Sequence, residues 1–363
     1  MKLLVMLMGL SLAPSMLAGL KAKPPRNPHY VVQIGGTTYD SWKHKQLIKQ
    51  VTVELATDQA SEALFRVFDP DFEIIDGYTG DDGVPELPVK VWMGFGNDLG
   101  EPVFKGLLDR IERGDTDTTF RVYDMGRKMR RELKNEYHGR IDDLGILRKL
   151  VIRNGLRFEG PTSAVQLDQH DDMAQDFKND WEHSHERAQE AGFNIYVRQD
   201  TFFAKEPAVI GPPRLTLTYG KDFILVHNFD LSYKLPENQQ GRPQEVTYHV
   251  RGKGGRRVEG YSKKHKRGHK RVHGNEEVSI HTKSYADRRA HASKQLQREH
   301  AFSCTVRSIS PLPGLRPDAR DTVVLRNVGA LFSGPYLADR VRHDGTAQAL
   351  VCEYMLYRDI EAG

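Results

Sequence analysis

The 363-residue chain carries 15 histidines and two cysteines, the side chains best suited to ligate a metal or act as a nucleophile. Their spacing offers little to either chemistry. His183 and His185 stand two apart on a helical stretch, about 200° around its axis, so one face cannot present both to a single ion. His265, His269 and His273 are spaced by four, which on a helix would align three imidazoles. Gly268 and Gly274 break that helix, and the lysines and arginines from Lys263 to Arg271 repel a cation. Cys304 and Cys352 lie in apolar, strand-like stretches (AFSCTV and ALVCEYML) and read as buried thiols acting as small hydrophobes. Two cysteines exclude a disulfide scaffold and every Cys-based zinc framework, a usage that suits folding in a reducing compartment.

Other catalytic signatures fail on spacing. The acidic stretch Asp69 to Asp82 (DPDFEIIDGYTGDD) lacks the D-x-[DN]-x-[DN]-G register and closing Glu of a calcium loop. It reads as a hairpin turn with solvated charges. No G-x-S-x-G or Walker loop occurs, and no G-x-G-x-x-G joins a strand to a helix. Gly252 to Gly255 (GKGG) lacks the helix that would cradle a phosphate. No catalytic residue, metal site or cofactor site is nominated, and no enzymatic activity is expected.

The sharpest chemical feature is the basic run Arg251 to Asn275, with ten Lys/Arg against a single Glu, a net of +9. The other residues hold 43 positive and 48 negative side chains, a net of −5, so the overall +4 misdescribes both parts. A patch of this kind neutralises phosphates without sequence preference. Its only aromatic residue is Tyr261, which leaves base stacking unsupported. A solvated hairpin and a contact with an acidic neighbour are the competing readings. Lys263, Lys264, His265, Lys266, Arg267, His269, Lys270 and Arg271 are the candidate assembly contact.

The elements that would position these residues are mostly strands. The chain is 38% apolar and 28% charged, with a mean hydropathy of −0.59 and an isoelectric point near 8.8. That suits two or three globular domains and excludes a polytopic membrane protein. HYVVQIGGTTYDSW reads as a hairpin turning at Gly35-Gly36. QLIKQVTVEL, ALFRVFDP, LPVKVWMGF, PVFKGLLDRIER and TTFRVYDM follow as short alternating strands, which argues for a barrel or sandwich over 28–125.

The period then changes. Asp142 to Asn154 places Leu144, Leu147, Leu150 and Val151 on one helical face. Met173 to Ala191 reads as a second helix carrying Phe177, Trp181, His185 and Ala188 on one stripe. The strands FNIYVRQ and TFFAKEP oppose each other across Gln199-Asp200, completing a small α/β unit over 126–212. Strand rhythm returns over 213–363, interrupted by the basic loop 251–275 and by a helix at YADRRAHASKQLQREH. No tandem repeat is visible.

Residues 1–27 form an apolar arm and a Pro-rich hinge (KPPRNP). A signal peptide, a retained apolar arm and an over-long gene start with Met16 as the true start all stay open. Met16 and Leu20 are poor residues three before the candidate cuts, and Pro14 interrupts the run.

The stretch DFKNDWEHSHERAQEAGFNIYVRQDTFFAKEP resembles the signature of the phage late control D family, through Asp180-Trp181, Glu190, Gly192-Phe193, Tyr196 and a terminal Pro207. Three further blocks fall in that family's order: LTLTYGKDFILVHNFDLSYKL, a strand-turn-strand centred on Gly220, followed by EVTYHVRG; the Ala-spaced helix; and RPDARDTVVLRNVGALFSGPYLADRVRHD with Gly329, Phe332, Gly334 and Tyr336. The resemblance spans about 28–360. The apolar leader and the richness of the basic run depart from the family's pattern.

The resemblance implies a mainly β fold with an α/β insert, in which two antiparallel, tail-tube-like β-barrel domains are joined by a small α/β domain. It implies a homotrimeric baseplate hub of a contractile tail, located in the virion and assembled in the host cytoplasm. Such a hub adapts a hexameric tail tube to a trimeric spike. Its partners would be the tail tube protein and the spike protein, with the tape measure protein and baseplate wedge components as further neighbours, and no small-molecule substrate. The competing class is a secreted or envelope-associated binding protein that uses the basic patch on acidic polymers or nucleic acid, exported if residues 1–20 are a signal peptide.

Overall fold

The computed structural model describes residues 27–44, 47–78, 86–97, 99–161, 167, 169–206, 211–222, 229–233, 245–251, 257–261, 271–278, 302–309, 318–330, 332–347 and 349–358. Its first part comprises strands β1 (Pro28–Ile34), β2 (Thr37–Asp40), β3 (Ile48–Ala56), β4 (Glu62–Phe68), β5 (Pro88–Phe95), β6 (Phe104–Arg113) and β7 (Asp117–Asp124). The short helix α1 (Glu73–Asp76) follows β4. Each strand forms where alternation places it. In β7, Thr118, Phe120, Val122 and Asp124 point inward and every second residue is half-buried, the period-two pattern of a sheet with one wet face. Phe65 of β4 lies opposite Phe120 in register, and the rings stack at 4.7 Å. The β1–β2 hairpin turns at Gly35-Gly36, with Ile34 opposite Thr37.

The acidic stretch differs from the hairpin turn expected of it. Asp69 is buried and accepts from the backbone N–H groups of Ile74 and Ile75, each at 3.1 Å, so its carboxylate holds the first turn of α1.

The middle part comprises β8 (Lys134–Asp142), α2 (Asp143–Arg153), β9 (Arg157–Glu159), β10 (Gln169–Lys178), α3 (Asp180–Ala191), β11 (Asn194–Arg198) and β12 (Thr201–Lys205). The helix α2 stands as its periodicity predicts, capped by Asp142 and burying Leu147, Leu150 and Val151. The expected helix Met173 to Ala191 is corrected: residues 169–178 are a strand paired with β8, and the helix starts only at Asp180. The physical reason is a capping box. Asn179 accepts from the Glu182 N–H, and the Glu182 carboxylate accepts from the Asn179 N–H, which nucleates the helix there and nowhere earlier. Phe177, placed by periodicity on the buried stripe, is exposed at a left-handed φ of 47°.

The last part comprises β13 (Pro213–Thr218), β14 (Phe229–Tyr233), β15 (Glu245–Arg251), β16 (Arg257–Tyr261), β17 (Arg271–Val278), β18 (Phe302–Ile309), β19 (Thr322–Arg326), β20 (Gly334–Thr346) and β21 (Leu350–Arg358). The strands flanking Gly220 do not pair with each other: β13 pairs in parallel with β19 and β14 antiparallel with β18. Strands β15, β16 and β17 form a separate three-stranded sheet.

The architecture is mainly β, and apart from β15, β16 and β17 the strands of the two β-rich regions share one thirteen-stranded sheet. Among the described residues that path runs from β14 through β18, β21, β20, β3, β4, β7, β6, β5 and β1 to β2, without closing into a barrel. The link is the long strand β20. One of its edges is taken by β19 over Gly334–Leu337 and then by β3 from Arg340 onward. A register shift between Ala338 and Arg340 lies where the partner changes. The sheet curls, so that the Tyr30 hydroxyl of β1 donates to the carbonyls of Thr346 and Ala349 at 2.9 Å. Gly345 leaves room for the Tyr30 ring, which a Cβ there would meet at 2.5 Å.

Candidate functional site

Two hydrophobic clusters organise the molecule, one inside the curled sheet and one inside the small unit between α2, α3 and β11–β12. The Asp-Trp pair that opens α3 serves both sides of the joint between them: Asp180 binds within the small unit, and Trp181 reaches toward the large sheet. Asp180 is buried and accepts hydrogen bonds from Lys134 Nζ at 3.1 Å, Arg153 Nε at 2.8 Å, Asn154 Nδ2 at 2.6 Å and Gln175 Nε2 at 3.1 Å. Burial pushes this carboxyl up, but the four donors outweigh it and hold it well below the usual carboxylate range.

Trp181 carries the connection outward. The Arg130 guanidinium lies 3.9 Å from its ring centroid and donates to Asp124 Oδ1 at 3.0 Å. Asp124 in turn accepts from the Ser61 N–H at 2.6 Å, at the start of β4. The signature helix is thereby tied through a cation–π contact and a buried ion pair to the large sheet. Burial raises the Asp124 carboxyl despite Arg130 and the backbone donors.

Strand β11 makes the second half of the joint. The Asp58 N–H donates to the Ile195 carbonyl, and the Ile195 N–H donates to Asp58 Oδ1, both at 2.9 Å. Arg198 pairs with Asp318 at 2.6 Å. Gln199 Nε2 donates to the Pro102 carbonyl at 2.8 Å, and Arg320 donates to the Glu206 carbonyl at 2.6 Å.

Burial pushes the Asp318 carboxyl up to about 6, against the pull of Arg198. An acid whose folded pKa exceeds its unfolded value holds an extra proton in the native state, so stability falls as pH rises from about 4 to about 6. Asp318→Asn is expected to lessen that decline, to which the raised Asp124 carboxyl also contributes, measured as the urea midpoint at pH 4, 5 and 6. A wild-type midpoint that does not fall over this interval would count against the assignment.

The remaining family-motif residues fall into two groups. Glu190 pairs with Arg187 at 2.7 Å, Gly192 ends α3 in the left-handed conformation, Phe193 is buried, and Tyr196 stacks on Phe203 at 4.9 Å. These belong with Asp180 and Trp181. The others lie in the large sheet's loops: Gly220 turns after β13 at φ 82° and Gly329 after β19 at φ 87°. The Phe332 carbonyl accepts from the Tyr336 hydroxyl at 2.7 Å. Gly334 leaves space for Arg358, whose Nη1 a Cβ would meet at 2.6 Å. Tyr336 is fully buried, which pushes its hydroxyl up to about 12.

The candidate contact residues Lys263 to Lys270 lie outside the described residues, as does the helix expected after them; Arg271 opens β17. His273 sits on that strand. His183 stacks on His138 at 5.8 Å, a neighbour its sequence spacing did not suggest, and burial lowers its pKa to about 4. Both cysteines are buried in strands, Cys304 in β18 and Cys352 in β21, with Cys352 Sγ 2.8 Å from His343 Nδ1. Among the described residues no three His, Cys, Asp or Glu side chains are grouped to hold a metal ion. The joint's partners Lys134, Arg153, Arg130, Asp58 and Asp318 carry no sequence pattern. The one available signal was that a signature aspartate beside a tryptophan, once buried, demands cations.

The Alg8 N-terminal domain family matches over residues 28–234, more than half of the chain. The chain belongs to that family. The late control D resemblance thus rests on motif order and is not what this match names. No curated protein matches the chain. Among solved structures, the tail protein from Neisseria meningitidis MC58 is similar with a TM-score of 0.67 at 14% identity, over 92% of this chain and 97% of that one. The 43 kDa tail protein of prophage MuSo2 from Shewanella oneidensis gives 0.66 at 12% identity, over 91% and 98%. The E. coli c3393 protein, a type VI secretion system component with structural similarity to the T4 bacteriophage tail proteins gp27 and gp5, gives 0.55 at 9% identity, over 91% and 77%. At such identities the likeness is one of fold.

Proposed function

We propose that the chain is a structural component of a phage or phage-like tail, and within it the baseplate hub of a contractile tail. The observation that carries this reading is a fold shared over nearly the whole length of chains named as tail proteins, 97% and 98% of two of them. In this reading residues 28–125 and 213–363 are the two tube-facing β domains and 126–212 is the connector between them. A homotrimer then offers six such domains to a hexameric tail tube and three-fold symmetry to a spike, and so seeds tube assembly. The buried ion pairs of the joint support it, because an adaptor transmits load between rings only if its two units are held together. The basic segment at Lys263 to Arg271 would serve as a further assembly contact, the protein would reside in the virion, and no reaction is assigned to it.

Light scattering on the full-length chain should return three times the 41.3 kDa of one copy. Labelled particles should carry it on the tail axis at the distal end of the tube. A monomeric mass at every concentration, or label along the sheath, would sink the hub reading.

A further inference from the structure

Two histidines from different elements meet inside the small unit. His138 of β8 and His183 of α3 stack with ring centroids 5.8 Å apart. His183 is 2% exposed and the His138 side chain 1%, so a charge on either ring would be cut off from water. The neighbours of His138 fix it as neutral. Lys149 Nζ lies 3.2 Å from His138 Nδ1, and an ammonium only donates, so that nitrogen carries the lone pair. The proton sits on Nε2, which donates to Gln175 Oε1 at 3.1 Å. Gln175 cannot turn over, because its own Nε2 donates to the Lys178 carbonyl at 2.8 Å and to Asp180 Oδ1 at 3.1 Å. For His183, neither ring nitrogen has a hydrogen-bond partner among the described residues.

A further proton at this pair would find no free anion. The charged groups that act on it are Lys149 and Arg153 from α2, Glu136 from β8, Lys178 from β10, and Glu186 and Arg187 from α3. That is four cations against two carboxylates, and both carboxylates are taken. Glu136 stands 4.0 Å from His138 Nε2 but pairs with Arg153 at 2.5 Å, and Glu186 pairs with Lys178. Arg187 pairs with Glu190 at 2.7 Å and reaches Asp143 at 3.8 Å, whose carboxylate His170 binds at 3.1 Å.

We propose that the His138–His183 pair is an acid-sensitive latch: proton uptake there frees α3 from the β8–β10 ribbon. Burial, with Arg187 beside it, lowers His183 to about 4, and burial with Lys149 lowers His138 as well. The folded state therefore binds fewer protons than the open one. The hold on α3 is complete above the ordinary histidine value of about 6.5 and is lost as pH falls toward about 4. Trp181 lies on the same helix, 3.9 Å from the Arg130 guanidinium, so release of α3 also loosens the link toward the large sheet. The latch needs no oligomer and goes beyond the hub reading.

The test reads α3 itself, by amide exchange over 180–191 in the full-length protein, corrected for the pH dependence of exchange chemistry. Protection in the wild type should fall about tenfold or more between pH 7 and pH 5. Asp180, held below the usual carboxylate range, stays ionised across this interval. Asp124 and Asp318 act in the opposite sense on the global midpoint, and His170 in the opposite sense within the small unit, so the variants carry the comparison. His183→Leu should reduce the fall to about threefold or less. Lys149→Met, at an exposed site, frees His138 Nδ1 to take the proton and should lessen the fall about threefold; it keeps the latch testable if His183→Leu does not fold by circular dichroism. Wild-type protection that holds between pH 7 and pH 5, or an equal fall in wild type and every variant that folds, would overturn the latch. So would a His183 ring that titrates near 6.5 in the folded protein, read by NMR on protein carrying ¹⁵N-histidine. Each of these outcomes leaves the hub reading untouched.

Discussion

Replacing Asp180 with asparagine is expected to cost about 3 kcal/mol, because removing one partner of a buried charge network leaves the others unpaired. Asparagine keeps the shape and one acceptor oxygen, so packing changes little and the loss is electrostatic. Lys134 would lose its carboxylate partner, while Arg153 would keep only Glu136 at 2.5 Å. The pH dependence separates this from a packing defect. The folded pKa of Asp180 is lowered, so its contribution is fully present above the unfolded value of about 4 and is lost progressively as pH falls from there through the folded value, well below the usual carboxylate range. The difference in urea midpoint between wild type and Asp180→Asn should therefore be constant from pH 7 to about pH 5 and decline steadily below about pH 4. A difference that stays flat from pH 5 down to the lowest pH at which both proteins fold would show that the network is not what Asp180 contributes. Because Trp181 is next in sequence and bound to Arg130, loosening α3 should also loosen the joint, seen as faster amide exchange at Ser61 and Ile195.

The elements whose pattern is local were legible. The alternation in β7 and the helical face of α2 are properties of consecutive residues, and both elements form as the spacing predicts. What escaped was set by distant residues. DMAQDFK has the apolar spacing of a helix, yet it is a strand, because β8 offers a ladder and Asn179 starts the helix later. The merging of two β-rich regions into one sheet depends on Glu54 meeting Arg342 across 288 positions, which no periodicity records. The motif order singled out Asp180 and Trp181, which open α3 and reach the cations Lys134, Arg153 and Arg130. Their partners were illegible, since ion pairs such as Asp124–Arg130 or Asp318–Arg198 are specified by the fold that joins them.

Gly106→Ala is expected to abolish the soluble fold or to cost about 4 kcal/mol or more, at the exceptional end of single substitutions. Gly106 sits in β6, opposite Asp124 of β7 and Val89 of β5, so it is flanked by strands on both edges. A Cβ there would stand 2.1 Å from the Tyr123 carbonyl oxygen and 2.7 Å from the Phe104 ring. The ring could rotate, but the oxygen belongs to the backbone of β7 and moves only if the β6–β7 register moves. That register places Asp124 where it accepts from Ser61 and Arg130, so strain at Gly106 should reach the joint as well as the sheet. Gly36→Ala is the control, in a turn where an added Cβ meets nothing within 4 Å, and should stay within about 0.5 kcal/mol of wild type. If Gly106→Ala expressed solubly with a melting temperature close to that of Gly36→Ala, the tight β6–β7 approach, and with it the route from sheet to joint, would be wrong.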